Sequence, residues 1–187
     1  MASKDHHTGN ISPEFVLLGF LIAGPSYGYD LHQRFTAELG HVWHLSQSQA
    51  YAILKRLEDH GDVSVKVVEQ ERLPARQMLR ITETGRRRFF KWLEQGVGKN
   101  ARSIRLEFLT RLYFTQRYRP ENIVQIYTAQ SAEIKSTVER LEGLLEQLPA
   151  EQAFNRLSLQ LRLQQLRLIQ NWMAEIQTLF RIPGRGI

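Results

Sequence analysis

The chain has 187 residues, with 25 Lys and Arg against 19 Asp and Glu and no cysteine. At about 150 residues per domain that length suits one or two compact domains. Hydrophobic residues at 42% and charged residues at 24% lie near the globular average, which excludes a disordered, collagen-like or disulfide-built chain. Without cysteine there is no thiolate nucleophile, iron–sulfur cluster or Cys-type zinc site.

The longest apolar stretch, Phe15 to Gly24, falls well short of the roughly 20 residues that a bilayer crossing needs. Met1 to Asn10 carries one Lys, one Asp and two His, so no basic head of a signal peptide precedes that stretch. A cytoplasmic location without membrane attachment is the expectation. The net charge of +6 invites a polyanionic partner, and its placement sharpens the point. Between residues 72 and 91, Arg72, Arg76, Arg80, Arg86, Arg87, Arg88 and Lys91 face only Glu83. That is a local basic stripe.

In chain order, Ser12-Pro13-Glu14 reads as a helix start, followed by Phe15, Leu17, Leu18, Leu21 and Ile22 on a buried stripe to about Ala23. Gly24-Pro25 stops that helix. Ser26 offers the next cap, and Tyr27, Leu31, Phe35 and Leu39 recur at four-residue steps until Gly40. Ser46 caps a third helix with Ala50, Ile53, Leu54 and Leu57 on one face, closed by His60-Gly61. The period then changes to two. Val63, Val65 and Val67 form one strand, and after a turn at Arg72 to Ala75 a second carries Met78, Leu79 and Ile81. A further helix bears Phe89, Phe90, Trp92 and Leu93 and ends at Gly96 to Gly98. The fold class expected over residues 11–98 is a winged helix-turn-helix, mainly α with a small two-stranded β-wing.

Residues 101–182 read as a carboxy-terminal antiparallel helical dimerisation domain. A first segment spans Ile104 to Tyr118. A second, over about 120–148, sets Tyr127, Ile134, Leu141 and Leu148 seven apart with Val138 and Leu145 between them, a coiled-coil seam. Residues 150–181 contain no Gly or Pro, predicting a helix of about 48 Å. That helix has two apolar sides. Leu159, Leu163, Leu166, Met173, Ile176 and Phe180 make one, while Phe154, Leu157, Leu161, Leu168, Trp172 and Leu179 make the other. Two apolar faces need two partners. A second copy of the chain is the simplest cover for the face carrying Leu157, Leu161, Leu168, Trp172 and Leu179.

Three stretches resemble the PadR-like transcriptional regulators, winged-helix repressors named for control of phenolic acid decarboxylase. The first is Leu17-Leu18-Gly19 followed by Gly24-Pro25-Ser26-Tyr27-Gly28-Tyr29-Asp30-Leu31. The second is Tyr51-Ala52-Ile53-Leu54-Lys55-Arg56-Leu57-Glu58 with Gly61, similar to the recognition helix and its exit. The third is Pro74-Ala75-Arg76-Gln77-Met78-Leu79-Arg80-Ile81-Thr82 with Gly85, differing from the pattern at Gln77, where Lys is usual, and at Leu79, where Tyr is usual. Glu107-Phe108-Leu109 and Trp172 are similar to the helical domain of the longer branch. The resemblance implies a homodimeric repressor that binds double-stranded DNA and controls neighbouring transport, detoxification or stress genes. It also raises the prospect that Trp92, Phe108 and Trp172 line an apolar pocket for a small aromatic effector rather than serve only as core.

Stepping 100° per residue along the third helix from a buried Ala50 turns Ser48, Ala52, Lys55 and Asp59 outward, with Gln49, Tyr51 and Arg56 at the margins. Gln pairs bidentately with an adenine edge and Lys or Arg with a guanine edge, so Gln49, Lys55 and Arg56 are the candidate base readers. Ser46, Ser48 and Tyr51 suit phosphate, and Arg72 and Arg76 of the wing suit backbone or minor groove. No HExxH, nucleophile elbow, P-loop or paired-carboxylate motif is present, so an enzyme is not expected. His41-x-x-His44 lacks a third ligand, and neither a metal nor another cofactor is expected. The alternative to a DNA reader is a winged-helix adaptor between proteins, for which the basic stripe has no use.

Overall fold

A computed structural model describes residues 12–70, 73–96 and 98–182. The chain forms two compact units, Met1–Gln95 and Gly96–Ile187.

The first unit opens with α1 (Glu14–Ile22), in which Val16 to Leu21 are all buried. A helix apolar on every side belongs in the centre of a core, and α1 is packed against by α2 (Gly28–Leu39), α3 (Gln47–Asp59) and α4 (Glu83–Glu94). Leu31, Phe35, Leu39, Ala50, Ile53, Leu54, Leu57 and Phe89 are buried apolar residues of those three helices. The expected two-stranded wing proves to be part of a three-stranded sheet. β2 (Val63–Gln70) and β3 (Leu73–Ile81) pair antiparallel from Val63↔Ile81 outward to Gln70↔Leu73, with a bulge between Val68 and Gln70. On the other side of β3 lies a two-residue strand, β1 (Ser26–Tyr27), in the order β1-β3-β2.

That strand corrects the sequence expectation for the start of α2. Ser26 is not its cap and Tyr27 is not on its apolar face. Tyr27 is the cap residue in extended conformation, φ −81° and ψ 151°, paired across to Met78. A strand of two residues has no alternation to read, and its partner lies some fifty positions away in the chain.

Around the base of the hairpin, polar groups of α1, the strands and α4 pair with one another. Thr82 caps α4 by accepting from the Gly85 amide at 3.1 Å, and its hydroxyl donates to the Gly61 carbonyl at 2.7 Å. Asp62 is 2% exposed, and its carboxylate accepts from Arg88 of α4, whose other terminal nitrogen reaches Glu14 of α1. The Arg88 guanidinium also lies over the Phe15 ring at 5.1 Å, and Phe15 stacks on Trp92 at 4.6 Å.

The second unit begins with α5 (Ala101–Ser103), a π-helical turn Ile104–Phe108 and α6 (Leu109–Tyr118). After the 3₁₀ turn Pro120–Asn122 come α7 (Ile123–Gln147) and α8 (Ala153–Leu179). α8 has 27 residues, about 40 Å at 1.5 Å per residue, a turn shorter than the sequence suggested. The seam of α7 holds from Tyr127 to Leu145: Ile134, Val138 and Leu141 are buried with Leu163, Leu166, Met173 and Ile176 of α8, and Tyr127 and Leu145 pack alongside, whereas Leu148, expected as its last position, is the extended residue that ends the helix. Arg156 closes the connection by donating to the Leu145 and Leu148 carbonyls, a cation on the negative end of α7. Arg111 of α6 is 3% exposed. Burial pushes its guanidinium down to about 10, opposed by the Glu107 carboxylate one turn away, so it is charged at neutral pH.

Candidate nucleic-acid interface

The start of α3 is set by a reciprocal cap. The Ser46 hydroxyl accepts from the Gln49 amide at 3.2 Å, and the Gln49 side-chain oxygen accepts from the Ser46 amide at 2.9 Å. Two of the candidate contact residues therefore hold each other. From that cap onward the helix buries Ala50, Ile53, Leu54 and Leu57 and exposes Ser48, Gln49, Tyr51, Ala52, Lys55, Arg56 and Asp59.

Lys55 is restrained within its own helix. Its Nζ lies 3.0 Å from Glu58 Oε2 and 3.0 Å from Asp59 Oδ1. The bond to Glu58 first, then that to Asp59, raises the affinity of the ammonium for its proton above the ordinary lysine value. Lys55 and Arg56 against Glu58 and Asp59 leave α3 without net charge.

Between α3, the start of α2 and the hairpin runs an open cleft of about 490 Å³. Tyr51, Leu54, Lys55 and Glu58 form one wall, Val65, Arg76, Gln77 and Leu79 the other, and Tyr27, Gly28 and Tyr29 the end. Gly28 leaves room for the Tyr51 ring: a Cβ there would stand 2.7 Å from Cε1 of Tyr51. Tyr29 accepts a hydrogen bond from Gln33 at 2.7 Å. Arg76 is exposed and lays its guanidinium over the Tyr27 ring at 5.0 Å. Arg80 is exposed on the same strand, while Arg72 lies outside the described residues. Tyr27, Glu58 and Gln77 were not singled out as site residues from sequence. Glu58 was legible from its i+3 spacing to Lys55, whereas nothing local ties Tyr27 to Arg76.

The three residues considered for an effector pocket are placed as follows. Trp92 is buried in the first unit between Phe15 and Phe89. In the second unit Phe108 is fully buried, and Trp172 is half-buried against the same core. Along α8, the face carrying Leu157, Leu161, Leu168 and Leu179 is 56 to 76% exposed. Among the described residues no group of three or more His, Cys, Asp and Glu side chains is placed to hold a metal ion. No described helix is long and apolar enough to cross a membrane.

Helices α2 and α3 on the buried α1, with a β-hairpin beside an exposed α3, define a winged helix-turn-helix protein. Residues 17–91 match the model of the Transcriptional regulator PadR-like family. Over that stretch the chain is similar to a family of transcriptional regulators. It is 27% identical over 139 residues to the Negative transcriptional regulator PadR of Bacillus subtilis (strain 168), covering 73% of this chain and 75% of that protein. Among solved structures, Bacillus subtilis PadR in complex with operator DNA aligns at 25% identity and TM-score 0.43, covering 89% of this chain and 96% of that one. Bacillus subtilis PadR in complex with p-coumaric acid aligns at 22% identity and TM-score 0.40, covering 91% and 96%.

Proposed function

We propose that this protein is a homodimeric repressor that binds specific double-stranded DNA in the cytoplasm through residues 11–98, dimerises through residues 101–182, and is released by a small effector. The observation that carries the reading is the pairing of an exposed, capped α3 with an arginine-bearing hairpin across one cleft. A helix lying in the major groove and a hairpin over the flanking backbone both need to project from one side of the domain. On this reading Lys55, Arg56 and the side-chain nitrogen of Gln49 meet base edges, the Gln49 side-chain oxygen being held by the Ser46 amide. Ser46, Ser48 and Tyr51 meet phosphate, and Arg76, with Arg72, meets the backbone or minor groove beside it.

Repression is supported by the relative named a negative regulator. The dimer is supported by the exposed leucines of α8, since one helix face buried on α7 leaves a second apolar face in water. Trp172, half-buried where that face meets the core, is the aromatic group a planar effector would meet first.

The test is selection of bound duplexes from a random pool at two salt concentrations. Enrichment of a palindrome with half-sites one or two helical turns apart is the expected result. Weak, salt-sensitive binding without enrichment would favour the protein adaptor instead.

A further inference from the structure

We propose that Tyr27 is a positioning residue for DNA binding: its ring holds the Arg76 guanidinium at the edge of the cleft between α3 and the hairpin, with the donor edge of the guanidinium free for a phosphate. The inference rests on the reading of Arg76 as a DNA contact and adds to it a residue that touches no DNA itself.

The placement follows from register. Tyr27 pairs with Met78 across β1 and β3, and Arg76 is two residues further along β3, so Tyr27 and Arg76 are diagonal neighbours on one face of the sheet. Gln77 and Leu79 alternate with them in register and also line the cleft, Leu79 being buried. Tyr27 is half-buried and its backbone is fixed twice, by the strand pairing and as the cap residue of α2. Arg76 is exposed. A rigid ring therefore meets a side chain that is otherwise free to sample many rotamers.

Chemistry makes the contact useful rather than competitive. The Arg76 Cζ lies over the ring, 5.0 Å from its centroid, where a cation is attracted to the negative π-face. A guanidinium carries five N–H donors around its rim, so an arginine held over a ring keeps donors for a second partner. A phosphate can then be met by an arginine whose entropy is already largely lost, which is the general gain from preorganisation. The strand of DNA that separates the major groove occupied by α3 from the groove beside the hairpin would cross this cleft, so the restraint acts where a backbone contact is needed.

The experiment compares wild type, Tyr27→Phe, Tyr27→Leu, Arg76→Ala and the double variant Tyr27→Leu/Arg76→Ala for affinity to a selected duplex and to a random one, with thermal unfolding of each. Tyr27→Phe is expected to bind as wild type, because the ring remains. Tyr27→Leu is expected to bind both duplexes roughly two- to fivefold more weakly, the worth of an exposed cation–π contact, and to add nothing in the Arg76→Ala background. A full loss from Tyr27→Leu in both backgrounds overturns the proposal, since Tyr27 would then act on its own. A loss from Arg76→Ala with none from Tyr27→Leu overturns it as well and leaves the DNA reading intact. If Arg76→Ala binds as wild type, the assignment of Arg76 fails and this inference fails with it. Because Leu at 27 also alters packing, a second variant carries 3,4,5-trifluorophenylalanine there, which keeps the shape and weakens the negative π-face. Wild-type affinity for that variant overturns the proposal whatever the leucine variant does.

Discussion

Arg88 of α4 donates to the carboxylate of Asp62, the residue that enters the hairpin, in the least exposed ion pair of the wing base. Its second nitrogen meets Glu14 of α1, so one guanidinium joins the first helix, the hairpin and the last helix of the domain. Arg88→Ala leaves the buried Asp62 carboxylate without its cation and is expected to cost about 2–3 kcal/mol, because an unpaired buried charge is worse than no pair. Asp62→Ala/Arg88→Ala should recover part of that loss. Chemical denaturation of Arg88→Ala, Asp62→Ala and the double variant measures the coupling, and strict additivity would count against the clamp.

Two glycines of the same domain should respond very differently to one methyl group. At Gly85 an added Cβ would stand 2.1 Å from the Asp62 carbonyl oxygen, a backbone atom that cannot turn aside. Gly85→Ala is expected to cost about 3 kcal/mol through overpacking. At Gly28 the obstacle is the Tyr51 ring at 2.7 Å, half exposed and able to swing away. Gly28→Ala should leave unfolding within about 1 kcal/mol of wild type yet weaken DNA binding by displacing Tyr51, and Gly28→Ala/Tyr51→Ala should bind no worse than Tyr51→Ala alone.

Lys55 sits between two carboxylates of its own helix, so base contact must compete with an intramolecular partner. Lys55→Ala is expected to change which duplexes are selected. Arg76→Ala is expected to weaken all duplexes alike and flatten the salt dependence by about one unit of slope. Glu58→Gln/Asp59→Asn should tighten binding to random DNA, steepen the salt dependence by about one to two units, and narrow the preference for the selected site. Equal responses of selected and random duplexes to all three changes would contradict this division of roles.

The exposed face of α8 makes its own prediction. Leu161 and Leu168 are 56% and 71% exposed, whereas Met173 on the opposite side is 2% exposed. Leu161→Glu/Leu168→Glu should leave a folded helical unit that light scattering shows as a monomer, with the dimer dissociation constant raised at least about thirtyfold, the loss of a single strong contact. Met173→Glu should instead unfold the unit, since a carboxylate cannot be buried there unpaired.

Much of the architecture was legible because its signals are local. Periodicity marked α2 to α4, α7 and α8, the Ser12-Pro13-Glu14 start and Gly24-Pro25 stop bounded α1, and Ser46 as a cap marked the start of α3. The two apolar sides of α8 were also visible in order, and burial of Leu163, Leu166, Met173 and Ile176 assigns one of them to α7. The π-helical turn at Ile104–Phe108 and the committed polar groups around Asp62 left no comparable trace, since each depends on neighbours distant in the chain.

By itself, then, the amino-acid order determined the helices, the hairpin, the outward set on α3 and the surplus apolar face of α8, all of which follow from side-chain spacing at periods of 3.6 and 2. The tertiary structure alone decided that Ser26 and Tyr27 form a third strand, that Tyr27 faces Arg76, and that Arg88 is withdrawn from the basic stripe into a clamp on Asp62 and Glu14. These are pairings between positions some twenty-five to seventy-five residues apart. Which of many polar side chains meet is settled only when the apolar core has brought their backbones within a few ångströms.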